Sequence, residues 1–143
     1  MLLKTVSTFV ACLMLGYSSF GAELTSGDVR YWLNPEHGNL RKASNDSALF
    51  IRECFDHYRL LTVDEELVGK ESEDRVVEME QKEGRITFTC RNETLRATLV
   101  KAYWIDPDHG WLFKRIDVDP DPGIGGLMLF ESGIEVPSEW WTG

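Results

Sequence analysis

The chain has few residues of the types that usually mark enzymatic or metal chemistry. Only three histidines and three cysteines occur among its 143 residues. His37, His57 and His109 are too far apart in sequence to suggest a zinc site, which usually contains at least one close pair of ligands. No Gly-x-Ser-x-Gly motif marks a nucleophilic serine. We therefore expect no metal, no cofactor and no enzymatic activity.

Positive charge and long apolar runs are scarce as well. There are 15 Lys and Arg residues against 24 Asp and Glu residues, for a net charge of -9. Nucleic acids and anionic lipid surfaces both require clustered Lys and Arg. No apolar run reaches the roughly 20 residues that a bilayer-spanning helix needs. The composition therefore argues against a nucleic-acid partner and against a stable membrane anchor.

The first 22 residues, in contrast, have the pattern of a secretory signal peptide. Lys4 precedes a short apolar core, and the segment ends in small residues. We expect cleavage near Gly21 or Ala22, which leaves a single domain over residues 23–143 in the periplasm or outside the cell. The mature chain has 14 basic and 24 acidic residues, a net charge of -10. In a eukaryotic secretory pathway, Asn45 and Asn92 would be glycosylation acceptors.

Cleavage would remove Cys12 and leave Cys54 and Cys90. In an oxidising compartment, two such cysteines are expected to form a disulfide. The bond would close a loop of 37 residues and stabilise the fold by about 3 to 4 kcal/mol. Two free buried thiols, or a redox pair, are the alternatives.

Residues 45–61 have the pattern of an amphipathic helix. Asn45 and its neighbours offer capping oxygens, and apolar residues follow at spacings of three and four. These apolar positions are Phe50, Cys54, Tyr58 and Leu61. The segment Thr62-x-x-Glu65 matches a capping box and predicts a second short helix that ends at Gly69.

From Arg75 onward the apolar period changes to two, which is typical of strands. The predicted strands cover residues 75–82, 85–91, 95–105, 111–118 and 127–131. Their connections are short, so neighbouring strands are expected to be antiparallel. Residues 28–33 fit either an edge strand or a first helical turn.

These elements predict an α+β domain. One main amphipathic helix packs on an antiparallel four- to five-stranded meander, and the disulfide from Cys54 to Cys90 joins them. The order strand, helix, strands resembles the cystatin-like arrangement, whereas a helices-first order resembles the cone-shaped nuclear transport factor 2-like fold. The hairpin at Glu83-Gly84 lacks the Gln-x-Val-x-Gly motif of cystatins. The resemblance therefore implies a fold and no protease inhibition.

Acidic residues flank one predicted hairpin. They are Asp106, Asp108, Asp117, Asp119 and Asp121. Pro122 and Met128 stand where an EF-hand calcium loop has glycine and a bidentate acid, so we interpret residues 117–123 as a rigid acidic loop. An acidic patch attracts a basic partner and raises its association rate. The alternative is that these charges maintain solubility and protect strand edges.

The C-terminus ends in two aromatic residues, Trp140 and Trp141. Large rigid aromatic side chains are frequent interface anchors, which makes both residues candidates for partner binding. Alternatively, the tail folds back to cover the open face of the sheet near Trp104 or Trp111.

The leading hypothesis is a small exported acidic protein that acts by protein-protein contact against a cationic hydrolase or toxin. Bacterial lysozyme inhibitors and periplasmic immunity proteins are similar in size, disulfide content and charge. Two alternatives stay open. One is a small-molecule carrier or enzyme of the cone-shaped class, which a cavity lined by Tyr103, Trp104, Trp111 and Phe113 with one buried acid would favour. The other is an envelope assembly or structural factor.

Overall fold

The computed structural model describes residues 22–137, which form an almost wholly β structure. Eleven strands and one short 3-10 helix, Glu71–Glu73, follow one another along this part of the chain. The strands are β1 (Ala22–Ser26), β2 (Val29–Leu33), β3 (Leu40–Ser44), β4 (Leu49–Ile51), β5 (Glu53–Thr62), β6 (Glu66–Lys70), β7 (Arg75–Lys82), β8 (Arg85–Asn92), β9 (Ala97–Ile105), β10 (Leu112–Pro120) and β11 (Gly126–Glu135). Within residues 22–137, no helix has the length and apolar character needed to cross a membrane.

The strands form three antiparallel sheets. Strands β1 to β4 follow one another in the N-terminal sheet, and β7 to β10 form a four-stranded meander. The short sheet has the order β11, β5, β6. Strands β10 and β11 are therefore edge strands, each with a single neighbour among the described strands.

The core lies against the inner face of the meander. Strands β8 and β9 bury alternate side chains there, namely Ile86, Phe88, Cys90, Ala97, Leu99 and Tyr103. The rings of Phe88 and Tyr103 meet edge to face, with centroids 6.2 Å apart. The other two sheets contribute Leu24, Leu33, Leu40, Tyr58 and Leu60 to the same cluster.

The helix predicted over residues 45–61 is wrong, because this segment forms β4 and β5. Residues four apart share one face of a strand as well as one face of a helix, since the strand period is two. Burial in β5 alternates as a strand requires: Asp56 and Tyr58 are buried, whereas Phe55 and His57 are exposed. The four-residue spacing of the apolar positions therefore did not distinguish the two structures.

Both predicted helix caps are turns between strands. The Asn45 Oδ1 accepts hydrogen bonds from the backbone N–H groups of Ser47 and Ala48 in the tight turn that joins β3 and β4. The Thr62 Oγ1 accepts from the N–H of Glu65 and donates to its carbonyl oxygen, which joins β5 and β6. Asn and Thr side chains bind nearby backbone groups in turns as they do in caps, so these residues alone predict neither.

The predicted α+β class is therefore wrong, and so are both resemblances based on element order. The structure does contain strands in the five ranges where the period of two predicts them. Four of these strands form the meander, but β11 does not continue it. Strand β11 pairs with β5 over ten residue pairs, from Gly126 opposite Thr62 to Glu135 opposite Glu53.

The predicted disulfide is also wrong, because Cys54 and Cys90 are free thiols. No helix carries Cys54 across the meander. Cys54 lies on β5 opposite Ile134, whereas Cys90 lies in the interior of the meander opposite Val76 and Leu99. The two cysteines therefore belong to different sheets.

We expect a thiol titration of the denatured protein, prepared without residues 1–21, to find two reactive thiols per chain. In the native protein both thiols should react slowly, because burial raises the pKa of Cys54 and the pKa of Cys90 to about 11 each. Native and denatured labelling followed by intact mass checks both points. A denatured protein that takes up no label without prior reduction would contradict the free-thiol state.

Candidate functional site

A pocket of about 440 Å³ lies between the two edge strands β10 and β11. We call it the β10–β11 pocket. Most of its wall is apolar, and all three sheets contribute to it. The apolar and aromatic side chains that line it are Tyr31, Leu40, Ile51, Tyr103, Trp111, Leu112 and Ile134. Two larger grooves exist in the described structure, but their walls are dominated by exposed strand ends and turns. The β10–β11 pocket, in contrast, reaches the buried residues Leu40, Asp56 and Tyr103.

Three polar side chains meet in this pocket. The side chain of Asp56 on β5 is 1% exposed, and its Oδ2 accepts a hydrogen bond from the ammonium of Lys114 on β10. Its Oδ1 accepts a hydrogen bond of 2.6 Å from the hydroxyl of Ser132 on β11. One buried carboxylate thus joins three strands from two sheets. Removal of Lys114 would leave the buried charge of Asp56 without a counterion, which is energetically costly. This cost keeps the two side chains together.

Strand register explains why these three residues meet. Asp56 and Ser132 are directly opposite in the pairing of β5 with β11. Lys114 lies opposite Tyr103 on the inner face of the meander, where it alternates with Leu112 and Ile116. The ammonium therefore points toward the neighbouring sheet, where Asp56 lies.

Two further groups in the pocket wall are chemically inactive near neutral pH. The Cys54 thiol stays protonated, because burial raises its pKa to about 11 against the opposing effect of Lys114. The Tyr103 hydroxyl donates to the carbonyl oxygen of Gly38 at 2.9 Å. Burial also raises the pKa of Tyr103 well above its usual value. Neither group is suited to act as a nucleophile or a base.

A buried acid lies next to the pocket. The Glu71 side chain accepts a 2.8 Å hydrogen bond from Asn39, which also donates to the carbonyl oxygen of Cys54. In the part of the chain that the structure describes, Oε2 of Glu71 and Oδ1 of Asn39 are buried without a hydrogen-bond partner. Desolvation, reinforced by the charge of Asp56, raises the pKa of Glu71 to about 7. This carboxyl group therefore carries a proton in slightly acidic solution.

A second ion pair lies deeper and is sealed from solvent. The side chains of Lys101 and Asp74 are both 0% exposed, and their charged atoms lie 2.6 Å apart. Asp74 also accepts hydrogen bonds from the Tyr58 hydroxyl at 2.8 Å and from the Asn92 amide at 2.7 Å. Lys101 in turn donates to the carbonyl oxygen of His37 at 2.9 Å. These bonds connect β5, β8, β9 and the loop after β2, so this pair has a structural role.

A glycine lets that loop approach the meander closely. Gly38 has a φ of +64°. A Cβ at this position would lie 2.9 Å from the Cβ of Phe88. Only glycine satisfies both conditions, and the close approach brings the carbonyl oxygens of His37 and Gly38 to Lys101 and Tyr103.

The aromatic residues proposed for a cavity are divided between two faces. Tyr103 and Trp111 line the β10–β11 pocket, and Trp111 is 63% exposed at its rim. Trp104 and Phe113 lie on the outer face of the meander, where their rings stack with centroids 5.7 Å apart. The pocket thus contains two of the four aromatic residues and one buried acid, Asp56.

The structure does not bring the five predicted acidic residues together. Asp106 and Asp108 lie in the turn between β9 and β10, where Asp106 accepts hydrogen bonds from the backbone and ring of His109. Asp117 and Asp119 lie toward the far end of β10 and Asp121 follows it. They are separated from that turn by roughly 20 Å at about 3.3 Å per residue. The predicted patch is therefore two separate groups.

Basic neighbours neutralise part of the second group. Arg115 donates two hydrogen bonds to Asp117. Arg91 forms a bidentate pair with Asp121, and this hydrogen bonding lowers the pKa of Asp121. The remaining predicted residues, Trp140 and Trp141, lie outside the described residues, as do residues 1–21 of the predicted signal peptide. Within residues 22–137, no group of three or more His, Cys, Asp or Glu side chains is placed to hold a metal ion.

Sequence reasoning missed Asp56, Lys114 and Ser132. A signal for the lysine exists, because Lys114 alternates with Leu112 and Ile116 on one face of a predicted strand. A lysine on an apolar face requires a buried partner or an opening to solvent. Asp56 carried no such signal, because it is not one of the apolar positions of the helix predicted over residues 45–61.

The sequence matches no protein-family model, and it shows no significant similarity to a curated protein or to a solved structure. Function is therefore inferred from the site itself.

Proposed function

We propose that this protein binds a small, mainly apolar molecule in the β10–β11 pocket. The observation that carries the proposal is a cavity of about 440 Å³ with apolar walls and one cluster of polar groups, Asp56, Lys114 and Ser132. Small-molecule sites typically have volumes of about 300 to 1,000 Å³ and combine mostly apolar walls with a few placed polar groups. The pocket has each of these properties.

The chemistry of the wall supports binding in preference to catalysis. Near neutral pH the Cys54 thiol is protonated, because its pKa is raised to about 11. The Ser132 hydroxyl donates to the carboxylate of Asp56, and no histidine is among the lining residues. An activated nucleophile needs an available adjacent base or a lowered pKa. The thiol has a raised pKa, and the carboxylate beside the hydroxyl is already paired with the Lys114 ammonium.

The hypothesis of an acidic surface that attracts a basic protein stays a prediction, as does export of the mature chain. The net charge of -9 supports the first. The separation of the five aspartates and the pairing of Asp117 and Asp121 with arginines give it little support from geometry.

The fluorescent dye N-phenylnaphthylamine, which is neutral and apolar, tests the proposal. At about 0.3 kcal/mol per heavy atom, we expect a dissociation constant on the order of 100 µM. Substitution Ile134→Glu places a charge in the apolar wall without disturbing the core, because Ile134 is 60% exposed. We expect this change to weaken dye binding about tenfold or more in a fluorescence titration.

The matched control is Leu127→Glu. Leu127 lies on the same strand and is also 60% exposed, but it does not line the pocket. This control should leave the dissociation constant within about twofold. Equal weakening by both substitutions, or no saturable binding to the unmodified protein, would overturn the proposal.

A further inference from the structure

We infer that the β10–β11 pocket selects ligands with an apolar body and a single anionic head group, such as a carboxylate, and that Lys114 binds this head group. The inference rests on the proposed function and adds the chemical class of the ligand. Two observations support it. The Lys114 ammonium has protons that are not donated to Asp56, and Lys114 is more exposed than Asp56.

The ammonium of Lys114 can donate further hydrogen bonds. It carries three protons, and one of them is donated to Asp56. The Lys114 side chain is 24% exposed, whereas Asp56 is 1% exposed behind it. A ligand in the pocket therefore meets the cation before it meets the buried carboxylate.

The Asp56 carboxylate and the Tyr103 hydroxyl already have hydrogen-bond partners. The two oxygens of Asp56 accept hydrogen bonds from Lys114 and Ser132, and the Tyr103 hydroxyl is bonded to a backbone carbonyl. The pocket thus offers donors from an ammonium and no free carboxylate oxygen. Head groups that accept hydrogen bonds fit this arrangement, and an anion gains a charge-assisted bond.

Comparison with Lys101 shows that this exposure is particular to Lys114. Lys101 lies on the same inner face, but it is 0% exposed and has two acceptors, Asp74 and the carbonyl oxygen of His37. Lys101 is thus enclosed together with its two acceptors. Lys114 instead faces a cavity large enough for a ligand.

Nearby acids oppose an anion only weakly in slightly acidic solution. The charge of Asp56 is compensated by Lys114, and that of Asp74 by Lys101. Glu71 is the third buried acid of this region, and desolvation together with Asp56 raises its pKa to about 7 against the effects of Lys101, Lys114 and Asn39. At pH 6 the Glu71 carboxyl group is mostly neutral, so we choose this pH for the test.

Two dyes with the same aromatic body separate the head group from the pocket. Anilinonaphthalene sulfonate carries one anionic group, whereas N-phenylnaphthylamine carries none. At pH 6, we expect the unmodified protein to bind the sulfonate about tenfold more tightly than the neutral dye. Substitution Lys114→Gln should abolish that preference, because it removes the cation from the pocket wall. Substitution Lys114→Arg should retain the preference.

The matched control is Arg115→Gln, which removes the same unit of charge from the neighbouring residue. Arg115 lies on the outer face of β10 and pairs with Asp117, so the dye preference should survive this change.

Equal affinities of the two dyes for the unmodified protein would overturn the inference and leave the proposed function standing. Persistence of the preference in a folded Lys114→Gln protein would also overturn it. If neither dye binds to the unmodified protein, the proposed function itself is overturned. If Lys114→Gln does not fold by circular dichroism, the comparison of the two dyes on the unmodified protein decides the outcome.

Discussion

Replacing Lys101 with methionine is expected to lower the free energy of unfolding by about 3 to 5 kcal/mol. Methionine fills a similar volume but leaves the Asp74 carboxylate, which is 0% exposed, without its countercharge. The hydrogen bonds from Tyr58 and Asn92 remain, but neutral donors do not replace the ammonium. Urea unfolding followed by tryptophan fluorescence measures the loss.

Two companion variants identify the cause. Lys82→Met removes a lysine from the exposed end of β7 and should change the stability by less than about 0.5 kcal/mol. The double variant Lys101→Met with Asp74→Asn removes both charges and should recover part of the loss, because no buried charge then remains. A loss below about 1 kcal/mol in Lys101→Met alone would mean that water reaches Asp74 and that the pair is not sealed.

Within residues 22–137, two ion pairs that contain a buried aspartate have the same arrangement and different surroundings. In each, a lysine on the inner face of the meander meets an aspartate from outside it: Lys101 with Asp74 and Lys114 with Asp56. One pair is enclosed by hydrogen bonds from several elements, while the other faces a cavity. The meander thus holds both lysines on one face, and the neighbouring strands determine which of them borders the pocket.

The meander could be predicted from the sequence because its structure is local. Each of its strands follows the previous one through a short turn, so the period of two and the turn residues suffice. The pairing of β11 with β5 is not local in this sense, and no short turn joins the two strands. The segment of β5 was also ambiguous, because Phe50, Cys54 and Tyr58 are spaced by four, which fits a helix and a strand equally.

The candidate site depended on that unpredicted pairing. Lys114 stands out in the sequence as a lysine among apolar residues, but its partner Asp56 lies 58 positions away along the chain. Ser132 reaches Asp56 only because β11 is paired with β5 in one register. The five aspartates predicted as a binding patch instead lie on turns and on the outer face of β10. Clusters in sequence become clusters in space only where the strands bring them together.

Replacing Glu71 with glutamine is expected to stabilise the protein at pH 8 by roughly 3 kcal/mol and to have little effect at pH 4. Folding raises the pKa of Glu71 from its ordinary value of 4.5 to about 7, chiefly by desolvation and then by the charge of Asp56. Between these two pH values the folded chain keeps a proton that the unfolded chain has lost. The contribution of Glu71 to stability is therefore most favourable below about pH 4.5 and is lost as the pH rises through 7.

Glutamine removes this charge and can keep the hydrogen bond from Asn39. Its carbonyl oxygen can accept from the Asn39 amide, as Oε1 of Glu71 does, and its NH₂ group replaces the buried Oε2 that has no partner among the described residues. The measurement is urea unfolding of both proteins at several values between pH 4 and pH 8. Only the difference between them is interpreted, because Asp56, Lys101 and Lys114 are common to both.

Glu73→Gln is the matched control, since Glu73 lies two residues further along the same 3-10 helix but is exposed. Its effect on stability should vary little with pH, because this substitution takes no carboxyl group out of the buried interior. A stabilisation by Glu71→Gln that grows steadily from pH 4.5 to 7 would place the titrating proton on Glu71. A difference that does not change with pH would show that the folded chain ionises Glu71 as readily as the unfolded chain does, and that water reaches this carboxyl group.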